Sequence, residues 1–167
     1  VCEHVSFQET GRLDAGAITR EVAGSGGSID AWTSHDQTVF QVVLPSRFVD
    51  RGIDILAGGL TRTRFGPDEL SRELQVIQEE IRQGADSPAR VASELLYATA
   101  FSQHPYGRPV LGTAASIASL GSERVLDFCR RWYVPGNVTL VVAGDVDADA
   151  VLAKIRRSFG RWGSGRP

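Results

Sequence analysis

A single β-hairpin set among helices is the feature that most constrains the fold. Residues 28–33 and 38–44 are rich in β-branched and aromatic side chains, and the polar residues 34–37 between them predict a hairpin turn. Apolar residues at helical spacing predict one helix at 13–23 and another opening at Pro45-Ser46. Because no strand–helix–strand rhythm repeats, the sequence predicts an α+β domain rather than a doubly wound α/β sheet. The inward side of the second helix is predicted to carry Val49, Ile53, Leu56 and Leu60.

Proline marks the start of two further helices. Pro67, followed by two acidic residues, and Pro88, preceded by a serine, predict helices that run to about Gln83 and Phe101. A later helix at 122–132 is predicted to face inward with Val125, Cys129 and Trp132, and a final one to run from an Asp147 cap to Gly160. Residues 138–143 are predicted to form a buried strand.

Composition and charge exclude several classes of protein. The 167 residues suit one domain, and a net charge of −2 argues against a nucleic-acid-binding surface. No apolar run reaches 18 residues, so no membrane span is expected. Cys2 and Cys129 lack a metal-binding spacing and are predicted to be free, buried thiols. The compartment stays open between bacterial cytoplasm and periplasm.

Acidic residues and a histidine at two places in the sequence could together support zinc chemistry. Glu73 and Glu80 are seven apart and share one helix face, and Glu80 lies 76 residues after His4. Zinc-dependent hydrolysis needs about three protein ligands and a carboxylate to accept a proton from water. His4 and Glu80 could supply two ligands, and Glu3 the carboxylate. A third ligand one helical turn before His4 would stand immediately before Val1.

Several segments resemble the pitrilysin/insulinase family of zinc metallopeptidases. The opening Val1-Cys2-Glu3-His4-Val5-Ser6-Phe7 is similar to the inverted-zincin motif H-x-x-E-H-x-x-F without its first letter. Residues 26–40, 104–113, 133–137 and 142–146 resemble further family segments in the same order. The resemblance implies a largely antiparallel sheet packed against several helices, the LuxS/processing-peptidase-like fold. Two departures are Glu9 in place of a glycine and Asp30 in place of an asparagine.

The resemblance also implies roles for individual residues. His4 and Glu80 would be Zn²⁺ ligands, Glu3 the general base and Glu73 a supporting carboxylate. The edge strand would bind an extended peptide or unfolded protein by β-strand addition, through a stretch made of Asp30, Ala31, Trp32 and Thr33. For Trp32, packing across the hairpin is the simpler interpretation. For His35 and His104, hydrogen bonding in turns and loop packing are favoured over metal binding.

The resemblance covers residues 1–162 and implies an incomplete enzyme. We expect a single N-terminal zinc-peptidase domain truncated at both ends, lacking the first strand and first zinc-ligand histidine upstream and a second homologous half downstream. Such a fragment is expected to be inactive alone. A non-catalytic structural or substrate-recognition subunit of the same fold is the alternative, although such subunits usually lose the glutamates that this sequence keeps. A plain binding module is the third possibility.

Overall fold

The chain is built from helices around one hairpin in the computed structural model, which describes residues 1–3, 15–61 and 66–167. Within these ranges two strands, β1 Ser28–Thr33 and β2 Thr38–Val43, form an antiparallel sheet. The helices in the same ranges are α1 Ala15–Gly24, α2 Val49–Thr61, α3 Pro67–Ala85, α4 Pro88–Ala100, α5 Ala114–Ala118, α6 Ser122–Trp132 and α7 Ala148–Phe159. Short 3₁₀ turns occupy Ser46–Phe48, Pro105–Gly107 and Pro135–Asn137.

The hairpin forms as the sequence predicts. Its register pairs Ser28 with Val43 at one end and Thr33 with Thr38 at the other, and the turn between the strands closes with a 2.8 Å bond from the Ser34 amide to the Gln37 carbonyl. Gly27 precedes β1, and a side chain there would put its Cβ 2.2 Å from the Val43 oxygen. Glycine at this position therefore lets the chain come close to the facing strand.

The predicted helix starts are also confirmed. Proline occupies the first turn of both α3 and α4, where the missing amide proton removes no helical hydrogen bond. The carboxylate of Glu69 reaches back to the Gly66 amide at 2.7 Å and caps α3. Asp147 caps α7 by accepting a 2.7 Å bond from the Ala150 amide. Local chemistry thus sets where these three helices begin.

Two buried clusters hold the described elements together. The first joins α1 and α2 to the inner face of the hairpin through Ile18, Val22 and Ile55, with Ile29, Val42 and Leu44 packed against them. The second joins α3 to α6 through Leu70, Val125 and Cys129, with Val1, Cys2, Leu74, Leu120, Leu126 and Tyr133 packed against them. The N-terminal residues therefore lie against the cluster that α3 helps to build.

The last helix docks on α2 through polar contacts. Asp54 accepts hydrogen bonds from Lys154 at 2.6 Å and from Ser158 at 2.7 Å. Burial alone would raise the pKa of Asp54, but these two hydrogen bonds outweigh it and hold that pKa below its usual value. Helix α2 also buries residues outside the stripe predicted from its sequence, and Ile55 does so against α1 and the hairpin. Ile53 is the one fully buried residue of the predicted stripe. Ile55 and Ala57, which lie outside that stripe, are fully buried too.

Two expectations about burial are wrong. Residues 138–143 form no strand, and nothing in the described part of the chain pairs with their backbone. Val141 is 77% exposed, so β-branched composition there does not coincide with burial. Trp132 is 37% exposed and packs beside Phe128 on the outer side of α6, rather than facing inward. No helix in the described ranges is long and apolar enough to cross a membrane.

Candidate functional site

The two predicted acidic site residues of α3 lie on its inward face. Glu73 and Glu80 are both half-buried, four residues before and three residues after Ile77, which is 1% exposed. Glu79 is exposed instead, and its carboxylate pairs with Arg82 one turn on. The assignment of Glu79 to solvent is therefore confirmed, and helix geometry separates the two neighbouring glutamates.

The N-terminal residues lie beside this helix. Val1 and Cys2 pack against the buried cluster that contains Leu70 of α3, and Cys2 and Glu3 are helical. The Thr33 hydroxyl donates a hydrogen bond to the Glu3 carboxylate from the end of β1. Glu3 is thus fixed between the α3–α6 cluster and the hairpin. His4, the predicted metal ligand, lies outside the described residues.

The two cysteines meet across 127 residues of sequence. Their Sγ atoms are 3.2 Å apart and are not joined by a disulfide, Cys129 is buried and Cys2 is half-buried. The hydrogen bond from Cys129 lowers the pKa of the Cys2 thiol. That same hydrogen bond and burial raise the pKa of the Cys129 thiol. The prediction of thiols outside a disulfide is confirmed, although only Cys129 is fully buried.

The predicted substrate-binding stretch lies in β1. Asp30 and Trp32 point to the exposed face, and Trp32 is 43% exposed opposite Val39. Ala31 is half-buried, and its amide donates a 2.9 Å bond to the Asp30 carboxylate. In the part of the chain that the structure describes, β1 is hydrogen-bonded only to β2. Its other edge therefore has no strand beside it among these residues.

The hairpin tip is held by an aromatic cluster. His35 stacks on Tyr97 of α4 with ring centroids 4.7 Å apart and contacts Tyr106 at 5.1 Å. The Tyr106 hydroxyl donates a 2.5 Å bond to Asp36, which raises the pKa of that hydroxyl. His104 accepts a 3.3 Å bond from the Tyr106 amide. Both histidines thus have the packing and turn-bonding contacts that the sequence analysis favours.

A small cavity adjoins this cluster. It has a volume of about 200 Å³ and lies between the hairpin tip, α4 and the loop after Gly107. Its charged lining includes Arg108 and the Arg90–Glu94 ion pair, in which the guanidinium and carboxylate are 3.1 Å apart. Ligand pockets usually measure roughly 300–1,000 Å³, so this cavity suits one side chain rather than a whole small molecule.

Comparison with known families identifies the chain. Residues 1–114 match the family described as "Insulinase (Peptidase family M16)". The chain belongs to the insulinase family, M16. Residues 119–167 match the description "Peptidase M16 inactive domain", so the two family patterns together account for nearly the whole length.

Individual M16 proteins are similar over almost all of this chain. A protein of Rickettsia felis named as an uncharacterized zinc protease is 32% identical over 94% of the chain, which spans 38% of that protein. A probable mitochondrial-processing peptidase subunit beta of Arabidopsis thaliana is 28% identical over 97% of the chain and 30% of its own length. The crystal structure of a protease from Helicobacter pylori superposes with a TM-score of 0.92 at 27% identity, covering 98% of this chain and 40% of that one. The α+β fold and the family resemblance are thereby confirmed.

The residue types at the site fit the zinc that the names of M16 relatives imply. Imidazole and carboxylate are ordinary zinc ligands, and Glu80 offers a carboxylate on the half-buried side of α3. Within residues 1–3, 15–61 and 66–167, no group of three His, Cys, Asp or Glu side chains could hold a metal. A site that includes Glu80 would therefore need a ligand from outside these ranges, such as His4.

Sequence reasoning missed the contacts that Thr33 and Tyr133 make near the N-terminal residues. The sequence indicates only substrate contact for Thr33, yet its hydroxyl bonds to Glu3 and lies 3.2 Å from that of Thr38. For Tyr133 the sequence indicates only a turn, yet it packs against the cluster of α3 and α6 and meets the ring of Phe40 edge-on. The predicted turn at 34–37 places Thr33 and Thr38 on either side of it, but no signal in the sequence indicates the contact to residue 3.

Proposed function

We propose that this chain is the catalytic N-terminal domain of a zinc-dependent endopeptidase that cleaves extended peptides or unfolded proteins. One observation carries the proposal: Glu73 and Glu80 lie half-buried on the face of α3 that also bears Ile77, while Glu79 faces solvent. Burying a carboxylate costs free energy unless a partner compensates it. Two carboxylates kept on the inward side are best explained by a shared site.

Each predicted residue has a distinct role in this proposal. His4 and Glu80 would hold zinc, with Glu73 orienting the ligands beside it. Zinc, when bound, would activate a water molecule for attack on the peptide carbonyl. Glu3 would accept the proton of that water and pass it to the leaving amine nitrogen. Because Glu3 is held by Thr33 at the end of β1, the base would lie next to the proposed substrate strand.

The β1 strand would bind substrate through its backbone. An extended peptide added along its outer edge would gain main-chain hydrogen bonds that depend little on sequence. Asp30 and Trp32, on the exposed face, would contact alternate side chains of the peptide. Ala31 and Thr33 point to the other face, so they would contribute mainly backbone groups. This arrangement favours unstructured substrates over folded ones.

The proposal extends to more protein than these 167 residues. The chain spans 38% of the Rickettsia felis relative and 40% of the Helicobacter pylori structure. We propose that it forms one domain of a longer enzyme, in which a second homologous half completes the substrate chamber. Residues 1–167 alone would then be inactive, because a zinc ligand and the facing half would be supplied by other parts of the protein.

Matched glutamine variants of the native full-length protein test the proposal. Metal analysis should find one zinc per protein, retained in Glu79→Gln and lost in Glu80→Gln. Hydrolysis of an internally quenched, unstructured peptide should fall about 10²–10⁴-fold in Glu3→Gln with zinc retained. Glu73→Gln should weaken zinc affinity or activity about 10–100-fold.

Two results would count against the proposal. Equal zinc content in Glu79→Gln and Glu80→Gln would remove Glu80 from the metal site. Zinc-loaded wild-type protein without peptide hydrolysis would instead favour the non-catalytic subunit of the same fold, in which the carboxylates would serve stability alone. Comparison of melting temperatures shows in each case that the variants are folded.

A further inference from the structure

Two hydroxyl groups connect Glu3 to the hairpin. The Thr33 hydroxyl donates to Glu3, and the Thr33 and Thr38 hydroxyl oxygens are 3.2 Å apart across the hairpin. Thr33 and Thr38 are paired in the register of the sheet, so the second hydroxyl is held by the two hydrogen-bonded strands.

Counting protons fixes the direction of these hydrogen bonds. A carboxylate can only accept, and each hydroxyl has a single proton to donate. Since the Thr33 proton is directed at Glu3, the proton between the two threonines must come from Thr38.

Both threonine hydroxyls therefore donate toward the Glu3 carboxylate. Hydrogen bonds that run in one direction polarise one another, and those that end on a charged acceptor are stronger than neutral ones. The pair restrains the position of one carboxylate oxygen, Oε2. A general base must be held within hydrogen-bond reach of the proton it accepts, and a misplacement of about 1 Å can lower a rate 10²-fold.

We propose that Thr33, supported by Thr38, is a positioning residue that orients the carboxylate of Glu3 for proton transfer. This inference rests on the proposed function. It gives Thr33 a role different from substrate contact, because its side chain lies on the same face of β1 as Ala31, opposite to that of Trp32. A residue that acts on the base should affect turnover, whereas a substrate contact should affect KM.

The test compares two substitutions at Thr33 in zinc-loaded, full-length protein. Thr33→Val keeps the β-branched shape and removes the hydroxyl, and it should lower kcat about tenfold or more with KM within about twofold. Thr33→Ser keeps the hydroxyl and should restore kcat to within about threefold of wild type. Thr99→Val is the matched control, because the Thr99 hydroxyl bonds only to the Leu95 carbonyl of its own helix among the described contacts.

A double-mutant cycle separates positioning from a structural role. In a Glu3→Gln background, Thr33→Val should change the residual rate by less than about twofold, because the group it orients is no longer a base. Zinc content and melting temperature should stay close to those of the parent protein in every variant.

Several outcomes would overturn the inference. It fails if Thr33→Val keeps wild-type kcat, if it raises KM instead, if Thr33→Ser is as impaired as Thr33→Val, or if the loss is the same in the Glu3→Gln background. A wild-type protein that binds zinc and cleaves peptides while Thr33→Val is unaffected refutes this inference alone. A zinc-loaded wild-type protein without activity refutes the proposed function and this inference together.

Discussion

Removing the buried side chain between the two inward glutamates should destabilise the fold strongly. Ile77 is 1% exposed and is among the largest fully buried side chains, while its neighbour Val76 is 47% exposed. Truncating a buried isoleucine to alanine costs about 2–5 kcal/mol, from lost transfer free energy and the cavity left behind. We expect Ile77→Ala to lower the free energy of unfolding by about 3 kcal/mol. Ile77→Val should lower it by about 1 kcal/mol.

Val76→Ala provides the matched control on the same helix turn. It removes methyl groups that are already half in water and gains helix propensity, so its effect should stay within about 0.5 kcal/mol. Urea denaturation followed by circular dichroism measures all three variants, with an unchanged m-value showing that the transition stays comparable. The melting temperature of Ile77→Ala should fall by about 6–12 °C. If Ile77→Ala and Val76→Ala lowered the free energy of unfolding equally, α3 would not be anchored through the face that bears Ile77.

Further predictions address the hairpin, the α2–α7 contact and the cysteines. Gly27→Ala should lower the free energy of unfolding by about 1–3 kcal/mol, because its Cβ would meet a backbone oxygen of the facing strand. A Cβ at Gly24 meets nothing within 4 Å, so Gly24→Ala should be neutral or slightly stabilising. Urea denaturation measures both. Because the pKa of Asp54 is lowered on folding, its contribution of at most about 1 kcal/mol should be present at pH 7 and be lost as pH falls through that lowered pKa. Asp54→Asn should therefore destabilise the protein less at pH 3 than at pH 7. The thiols of Cys2 and Cys129 are 3.2 Å apart, so the oxidant diamide should join them in an intramolecular disulfide in folded protein but not in urea-unfolded protein. A disulfide-linked dimer as the main product would contradict their contact.

Local signals in the sequence predicted the elements that depend on local chemistry. Prolines at positions 67 and 88 and the Asp147 cap act within one helical turn, and the structure begins helices at those places. The short helix α5 was missed although Thr113 and Ser116 cap it reciprocally, since serine is a less familiar partner than glutamate in that motif.

Features that depend on distant neighbours were the ones that failed or stayed invisible. Residues 138–143 have a strand-like composition, but a strand also needs a partner backbone, which composition does not specify. The sequence spacing places Glu73 and Glu80 on one face, yet it gives no sign that the Thr33 hydroxyl would bond to residue 3. The candidate site was therefore predictable in its acidic residues and not in the side chains that hold them.

The contrast between the two proline-started helices has a consequence for motion. Helix α3 is anchored by Leu70, Ile77 and Gly84, whereas none of the residues of α4 is fully buried. Segments with little buried surface open at low free-energy cost, so the amide hydrogens of α4 should exchange with solvent long before those of α3. Tyr97 of α4 stacks on His35 at the hairpin tip. This contact should therefore break and re-form many times before α3 opens once.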